Sequence, residues 1–343
     1  MKHIGMDVHS TTTHITVLNN RGRKIRAGNV RTQKEDLEGF FLGIPGPKRA
    51  ALEESQMADF VARIVQPLVQ EVIRCQPQHN RLISESEHKY DEQDSYSLAE
   101  LLYLNKLKSV HHPEWVYRQL REAVRSYWAS SRDLTRIKNR LKAFYLFNGI
   151  HCTGERVYSA KHCDQYLASL DRASGNLELA RLHYERLDLS RQWKARQLRM
   201  LRKMSQPFRP PLRCLATIPG IGGIGAYTIL AYLEDGWRIP NKRKLWQYCG
   251  LGMRRHESRD IGHRGASRQG NRYLKNVFMT AAASVAGRCT ADNALTRRYH
   301  AAVAANVPPD RVRRNLARKV AVLAQHGLRF QEDYDDERIN IPE

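Results

Sequence analysis

The sequence predicts an α/β part at the N-terminus followed by a longer all-α part, and three observations support this fold class. Up to about residue 106, short runs of alternating apolar residues take turns with runs of helical spacing. Two long charged stretches then carry apolar residues at steps of three and four, which is typical of helices. Three prolines within 206–211 separate these stretches from a mostly helical remainder and indicate a linker.

The elements of the first part follow one another in an informative order. Three strands come first, with a hairpin turn at Asn20, Arg21 and Gly22 before the third. A helix, a buried strand, a second helix, a further strand and a third helix follow. The predicted strands are 3–8, 12–18, 24–30, 49–53 and 71–75, and the predicted helices are 34–42, 57–68 and 90–106. The order βββαβαβα is that of an RNase H-like layered sheet, which we assign to residues 1–112.

Two long helices are predicted in the middle of the chain, over 113–148 and 177–204, with 149–175 between them. Two long antiparallel helices around a connector form a coiled-coil-like arm, whose simplest roles are spacing and oligomerisation. We assign this arm to 113–205. The rest divides into a mostly helical C-terminal domain over 206–331 and an acidic tail over 332–343, which we expect to be frayed.

The charge of the chain points to a polyanionic partner. Of the 343 residues, 57 are Lys or Arg and 35 are Asp or Glu, so the formal net charge is +22. Such an excess favours nucleic acid, because each neutralised phosphate releases condensed counterions. A membrane partner is disfavoured, since we find neither a signal peptide nor an uninterrupted apolar run of about twenty residues. We therefore expect a soluble, intracellular protein that binds nucleic acid.

Four acidic residues of the first part are candidate metal ligands. Asp7 lies in the first strand, on the face opposite Met6 and Val8. Glu53 ends a buried strand, where an unpaired carboxylate is costly unless it binds a cation. Asp91 and Asp94 are three residues apart and therefore lie on one face of a helix.

Carboxylates in this number can hold two divalent cations roughly 4 Å apart, the arrangement that stabilises the attacking and leaving oxygens in phosphoryl transfer. Oxygen ligands favour Mg²⁺ or Mn²⁺ over Zn²⁺. Glu54 remains an alternative to Glu53, because neighbouring strand residues face opposite ways and one of the two points into the site.

A glycine-rich turn and a basic segment mark the C-terminal part. Ile218 to Gly225 reads IPGIGGIG and resembles a helix-hairpin-helix turn, in which Gly220 and Gly222 let backbone N–H groups approach a phosphate. A serine, Ser258, lies inside the basic segment that follows. The candidate nucleic-acid contacts beyond the turn are Lys242, Arg254, Arg255, Arg259, Arg264, Arg268 and Asn271.

These motifs together resemble the insertion-sequence 110 family of transposases, recombinases with an N-terminal RuvC-like DEDD domain and a C-terminal transposase domain that carries a serine. GMDVHSTTTHITVL, LEES and KYDEQDSYSLAELL are similar to the family's three acidic motifs. IPGIG, Gly250 with Leu251, Glu257 with Ser258, and Arg268 to Asn271 follow in the family's order. Two positions depart from the family pattern, since Arg259 stands where many relatives have glycine and Ser95 where they have alanine.

The resemblance implies a role for each of these residues. Asp7, Glu53, Asp91 and Asp94 would be the metal ligands, and Ser258 the nucleophile that forms a covalent link to DNA. It also implies a noncoding bridge RNA that pairs with donor and target DNA, so that sequence choice is delegated to base pairing.

Because the carboxylates and the serine lie in separate domains, a working centre needs domain closure or residues from two protomers. The coiled-coil arm favours a homo-oligomer, a dimer or tetramer, and we expect it to act at the nucleoid in a bacterial cytoplasm. Two other functions stay open: a RuvC-like nuclease that uses water in place of Ser258, and a non-catalytic nucleic-acid-binding protein on a degenerate RNase H fold.

Overall fold

A computed structural model describes residues 1–75, 91–170, 175–256, 263–266, 270–287 and 292–337, with Asp91 and the segments 253–256 and 263–266 described as backbone. The chain forms two compact units, Met1–His112 and Pro113–Glu343. Each unit has a hydrophobic core of its own.

The first unit is built on a mixed five-stranded sheet in the order β3-β2-β1-β4-β5. The central strand β1 pairs antiparallel with β2 and parallel with β4. The strands are β1 Lys2–Val8, β2 Thr12–Leu18, β3 Lys24–Arg31, β4 Lys48–Glu53 and β5 Glu71–Cys75, and the helices are α1 Lys34–Leu42, α2 Ala58–Val65 and α3 Asp91–Tyr103. The predicted α/β class and the predicted order of elements are confirmed, and the sheet is consistent with a RuvC-like domain.

The two faces of β1 have different neighbours. Ile4, Met6 and Val8 are buried in one apolar cluster with residues of α1 and α2. Alternate residues of a strand point to opposite faces, so His3, Gly5 and Asp7 share the other face. The ring of His3 meets the ring of Tyr103 edge to face at 5.4 Å, which places α3 over that side of the sheet.

Helix α3 lies directly on β1 because Gly5 has no side chain. A Cβ atom at Gly5 would come within 2.0 Å of the Ser95 carbonyl oxygen and 2.4 Å of the Ala99 nitrogen. The hydroxyls of Thr16 and Ser95 are hydrogen-bonded at 2.8 Å beside this contact, and both residues are buried. The serine that departs from the family pattern is therefore satisfied by Thr16 of β2.

The second unit begins with two long helices that pack against each other. Helix α4 spans Trp115–Phe147 and α6 spans Asn176–Met204, with α5 Ala160–Ala168 between them. Two hydrogen bonds show that they run antiparallel. Asn176 donates to the Asn148 side chain at 2.7 Å at one end of the pair, and Gln197 donates to the Ser126 hydroxyl at 2.9 Å towards the other end. No helix in the described parts of the chain is long and apolar enough to cross a membrane. Coiled-coil packing of the pair stays a prediction.

The remaining elements surround a second apolar core. Residues of the later helices form it, and Leu120 and Val124 from the beginning of α4 join them. The arm and the C-terminal helices therefore share one core at the base of α4. The elements are α7 Arg209–Thr217, α8 Gly223–Leu233, α9 Lys242–Tyr248, β6 Met253–His256, β7 His263–Ala266, α10 Arg272–Val285, α11 Ala294–Ala304 and α12 Pro309–Phe330.

Three details differ from the sequence-based expectation. The proline segment 206–211 is not an extended linker: it forms a 3₁₀ turn and then begins α7, because prolines fit the first turn of a helix, where an N–H has no partner. The strands β6 and β7 pair as a two-stranded sheet in a region expected to be helical. The tail is docked as far as Asp336, whose carboxylate accepts from the Ala294 amide at 2.8 Å and from Arg297 at 2.8 Å.

The close contact at Gly5 makes a first prediction. Gly5→Ala should lower the opening free energy of the β1 amides in native-state hydrogen exchange by about 3 kcal/mol, because overpacking must separate two backbones. Gly39→Ala is the matched control: it lies in α1 with no atom within 4 Å of where a Cβ would lie, and alanine there should be neutral or stabilising by about 0.5–1 kcal/mol. Equal protection in the two variants would contradict the close packing of α3 on β1.

Candidate active site

Two of the predicted ligands come from the ends of neighbouring parallel strands. The register pairs Gly5 with Ala51 and Met6 with Leu52, so Asp7 and Glu53 are the next residues along β1 and β4. Leu52 is buried with Ile4 and Met6 on the α1–α2 side, which leaves Glu53 on the face of Asp7. The parallel pairing therefore brings these two carboxylates together at the carboxyl end of the sheet centre.

Helix α3 adds a third carboxylate to this end of the sheet. Asp94 precedes Ser95, which contacts β1 at Gly5 and β2 at Thr16. Burial raises the pKa of Glu53, and the negative charges of Asp7 and then of Asp94 raise it further. The fold thus holds three acidic groups within electrostatic reach of one another. Asp91 lies one turn earlier, at the start of α3, and its side chain lies outside the described set.

The neighbouring Glu54 has different surroundings from Glu53. Its carboxylate lies 3.5 Å from Nε2 of His112, and its side chain is 43% exposed. Its backbone N–H donates to the Cys75 carbonyl, which continues the pairing of β4 with β5. Glu54 therefore interacts with His112 and with the end of β5, whereas Glu53 interacts electrostatically with Asp7 and Asp94.

A histidine that sequence reasoning did not identify contacts the acidic cluster. Nε2 of His9 lies 2.9 Å from Oδ2 of Asp7. The ring of His9 also lies near the ring of His14, with centroids 6.5 Å apart. His14 is the residue of β2 that pairs with Asp7 of β1. The sequence Asp-Val-His could have indicated this contact, because side chains two residues apart in an extended chain point to the same side. His9 can hold the Asp7 carboxylate in one orientation.

The chemistry of this end of the sheet fits a hard divalent cation. Asp7, Glu53 and Asp94 offer oxygen atoms alone, the ligands that Mg²⁺ and Mn²⁺ prefer. A cation between them would relieve the repulsion that raises the pKa of Glu53. Among the side chains that the structure describes, no three His, Cys, Asp or Glu are grouped tightly enough to hold an ion by themselves.

The serine segment of the second unit is described in part. Ser258 and Arg259 lie outside the described residues, between the end of β6 and the start of β7 in the sequence, and Arg268 also lies outside them. Arg254, Arg255 and Arg264 belong to the paired strands, as backbone. The predicted roles of these residues stay predictions.

The two glycines of the IPGIGGIG turn have different environments. Gly220 has φ +82°, and a Cβ there would lie 2.5 Å from the Ala281 carbonyl oxygen of α10. Packing therefore accounts for glycine at this position without a phosphate. Gly222 is exposed, precedes α8 as its N-cap, and has open space where a side chain would be. Of the two, Gly222 presents backbone that a phosphate can reach.

Two further predicted contacts lie at helix starts. Asn271 caps α10, because its side-chain oxygen accepts from the Tyr273 and Leu274 amides at 2.9 and 3.1 Å. This structural role explains the asparagine on its own. Lys242 is the first residue of α9, whose cap Asn241 accepts from the Lys244 amide at 3.0 Å. Lys242 is half-buried, and the following Arg243 and Lys244 are exposed.

Comparison with known families gives the same assignment to both parts of the chain. A family model for the DEDD transposase of IS110 elements, described as a transposase, matches residues 4–147. A second model, described as the transposase IS116/IS110/IS902 family, matches residues 212–300. The four candidate carboxylates lie in the first match and Ser258 in the second. A comparison with curated proteins found no match. The order and extent of the two matches show that this chain belongs to the IS110 family of transposases.

Proposed function

We propose that this transposase cuts and rejoins DNA with a metal-binding carboxylate site in its first unit and a serine nucleophile, Ser258, in its second. The observation that carries the proposal is the convergence of Asp7, Glu53 and Asp94 at one end of the central strands. Asp7 and Asp94 both raise the pKa of Glu53, so holding the three ionised groups together costs free energy that a cation would offset. In a chain of net charge +22, a cluster of this kind is suited to holding cations next to a phosphate.

Asp7, Glu53, Asp91 and Asp94 would hold Mg²⁺ or Mn²⁺. The bound cations would supply charge stabilisation at the oxygens of the scissile phosphate. His9 would keep the Asp7 carboxylate oriented through its 2.9 Å contact. Glu53, half-buried at the strand end, would face the cations beside Asp7 and Asp94.

Ser258 would attack the phosphorus of one DNA strand. A bond forms between Ser258 Oγ and phosphorus while the bond from phosphorus to one oxygen of the strand breaks. In net terms the serine proton passes to that oxygen, which becomes the free hydroxyl end of the cut strand. The covalent link conserves the energy of the broken phosphodiester for rejoining. The family match over 212–300, which includes Ser258, supports this role.

A guide RNA would choose the DNA sites. The support for this proposal is the charge of the chain and its family, since a protein that delegates sequence choice to base pairing needs backbone contacts more than base-reading side chains. Gly222, which has open space where a side chain would lie, and the cations of α9 would meet phosphates. Such contacts are independent of sequence.

Copies of the protein would associate through the long helices. Leu182, Leu189 and Trp193 on α6 are 50%, 65% and 58% exposed. Their spacing of seven and four residues keeps them on one side of the helix. An exposed apolar stripe of this kind supports a homo-oligomer, a dimer or a tetramer.

The carboxylate site predicts separate effects on cleavage and binding. Asp7→Asn and Glu53→Gln should each lower metal-dependent cleavage of an element-end duplex by about three orders of magnitude or more, because groups that act as one unit are non-additive. DNA affinity in the same variants should change little. Glu54→Gln is the matched control and should stay within roughly twofold of the wild type. Loss of cleavage in Glu54→Gln with full cleavage in Glu53→Gln would reverse the assignment.

The serine predicts a covalent intermediate. Ser258→Ala should abolish a trapped protein–DNA adduct and strand exchange while RNA and DNA binding persist, and Ser258→Cys should retain part of the activity because a thiolate is also a nucleophile. Ser267→Ala, in the same basic segment, is the control and should react as the wild type does. Cleavage by Ser258→Ala at the wild-type rate would make water the nucleophile and the protein a RuvC-like nuclease.

The guide predicts a dependence on added RNA. The purified protein should cleave element-end DNA when small RNA from cells that carry the element is present, and treatment of that RNA with ribonuclease should remove the activity. Cleavage that is unchanged by ribonuclease would contradict RNA guidance and leave the carboxylate and serine roles standing.

A further inference from the structure

The second unit contains a cleft between α4 and α10 that the proposed chemistry does not use. Its volume is about 320 Å³. Side chains with hydrogen-bonding groups line it from both helices: Ser131, Arg132 and Thr135 from α4, and Arg272, Tyr273 and Asn276 from α10. Trp128 of α4 also lines the cleft. The size lies at the lower end of the range for small-ligand sites.

The arginines of this cleft differ from their neighbours on α4. Arg125 pairs with Glu122, and Arg136 with Asp133 at 3.1 Å. Arg132, between them, and Arg272 are exposed, and neither pairs with a carboxylate in the parts of the chain that the structure describes. Two guanidinium groups without described acidic partners therefore line one cleft, where an anion would find both.

Tyr273 lies between these charges. Arg272 donates to its hydroxyl at 3.2 Å. Burial acts to raise the pKa of Tyr273, but the hydrogen bond and charge of Arg272, followed by those of Arg132, outweigh burial and lower the pKa below its usual value. The cleft thus favours negative charge at the position of this oxygen.

The walls of the cleft are held in place from behind. The ring of Tyr273 stacks on the buried Tyr232 with centroids 5.8 Å apart and an interplanar angle of 12°. Trp128 donates from Nε1 to the Thr228 hydroxyl at 3.1 Å. Because these contacts do not involve a ligand, the aromatic walls are preorganised and little side-chain entropy is lost on binding.

We propose that this cleft binds one nucleotide of a single-stranded nucleic acid, with its phosphate between Arg132 and Arg272 and its sugar and base towards Trp128 and the polar side chains. The cleft is too cationic for an apolar ligand or a metal ion. The hydroxyls and the Asn276 amide can bond a base edge or a sugar. The inference rests on the proposed function in one respect, that the ligand is nucleic acid; the assignment to this cleft is independent of Ser258 and the carboxylates.

Binding without chemistry tests the proposal. Fluorescence anisotropy of labelled single strands of about 12 nucleotides, one of DNA and one of RNA, would be measured on the full chain in EDTA. Arg132→Ala and Arg272→Ala should each weaken binding about tenfold, and the double variant should reduce the log–log salt slope by about 0.7, the value for one phosphate of a single strand. Arg136→Ala is the matched control, one turn along α4, and should change affinity by no more than about twofold.

A second readout locates the nucleotide. Strands that carry 5-iodouracil should crosslink on irradiation to a peptide containing Trp128 or Tyr273, and Arg132→Ala should reduce the yield. Tyr273→Phe, which keeps the ring on Tyr232, should reduce affinity less than Arg272→Ala does. The DNA and RNA arms show which strand occupies the cleft.

Three outcomes would overturn the proposal. In the first, Arg132→Ala and Arg272→Ala bind the strands as well as Arg136→Ala does. In the second, the crosslinks map to other peptides. In the third, UMP displaces the labelled strand as well as the unlabelled strand does, and the ligand is then a free nucleotide. If the wild type and both variants bind the strands equally well in EDTA, the cleft proposal alone fails, because the carboxylate and serine roles are tested separately by metal-dependent cleavage. If the wild type binds no strand at all, the proposed function fails with it.

Discussion

The contact of α3 with β1 at Gly5 determines where the candidate carboxylates of the first unit lie. Two backbones approach at this point more closely than any side chain would allow, and Ser95, at the contact, also bonds Thr16 of the next strand. The helix therefore has one position along β1. Asp94 is adjacent to that contact in α3, and Asp7 is two residues further along β1. The geometry of the carboxylates is thus a consequence of backbone packing.

The acidic cluster is held together against electrostatic repulsion. Burial of Glu53 near Asp7 and Asp94 makes its ionised form less favourable, as the raised pKa shows. Parallel pairing of β1 with β4, on one side of β1, and packing of α3 over the sheet keep the groups close despite this cost. Functional sites commonly store such unfavourable interactions, because a ligand of opposite charge then binds where the fold has already arranged the donors.

In the second unit, most of the charged groups that concern function are arginines, and they differ in whether a carboxylate neutralises them. Many of its arginines are neutralised locally, as Arg121 is by Glu234 at 2.8 Å and Arg136 by Asp133. Those of the α4–α10 cleft are not so neutralised by any described carboxylate. Cations left without a carboxylate on a folded surface raise the local concentration of polyanions. The core beneath, which joins the base of α4 to the C-terminal helices, gives these cations a rigid support.

The order of elements, the strand-end acids and the basic serine segment could be predicted from the sequence, because hydrophobic periodicity and residue chemistry are local properties. The distinction between Glu53 and Glu54 could not, since strand phase at the end of β4 depends on which neighbour each residue meets. The reason for glycine at positions 5 and 220 also required the structure, because the atoms that exclude a side chain come from distant helices, at Ser95 and Ala281. The α4–α10 cleft is likewise formed by helices that are distant in sequence. Local patterns therefore determined which groups are present, and tertiary packing decided which of them meet.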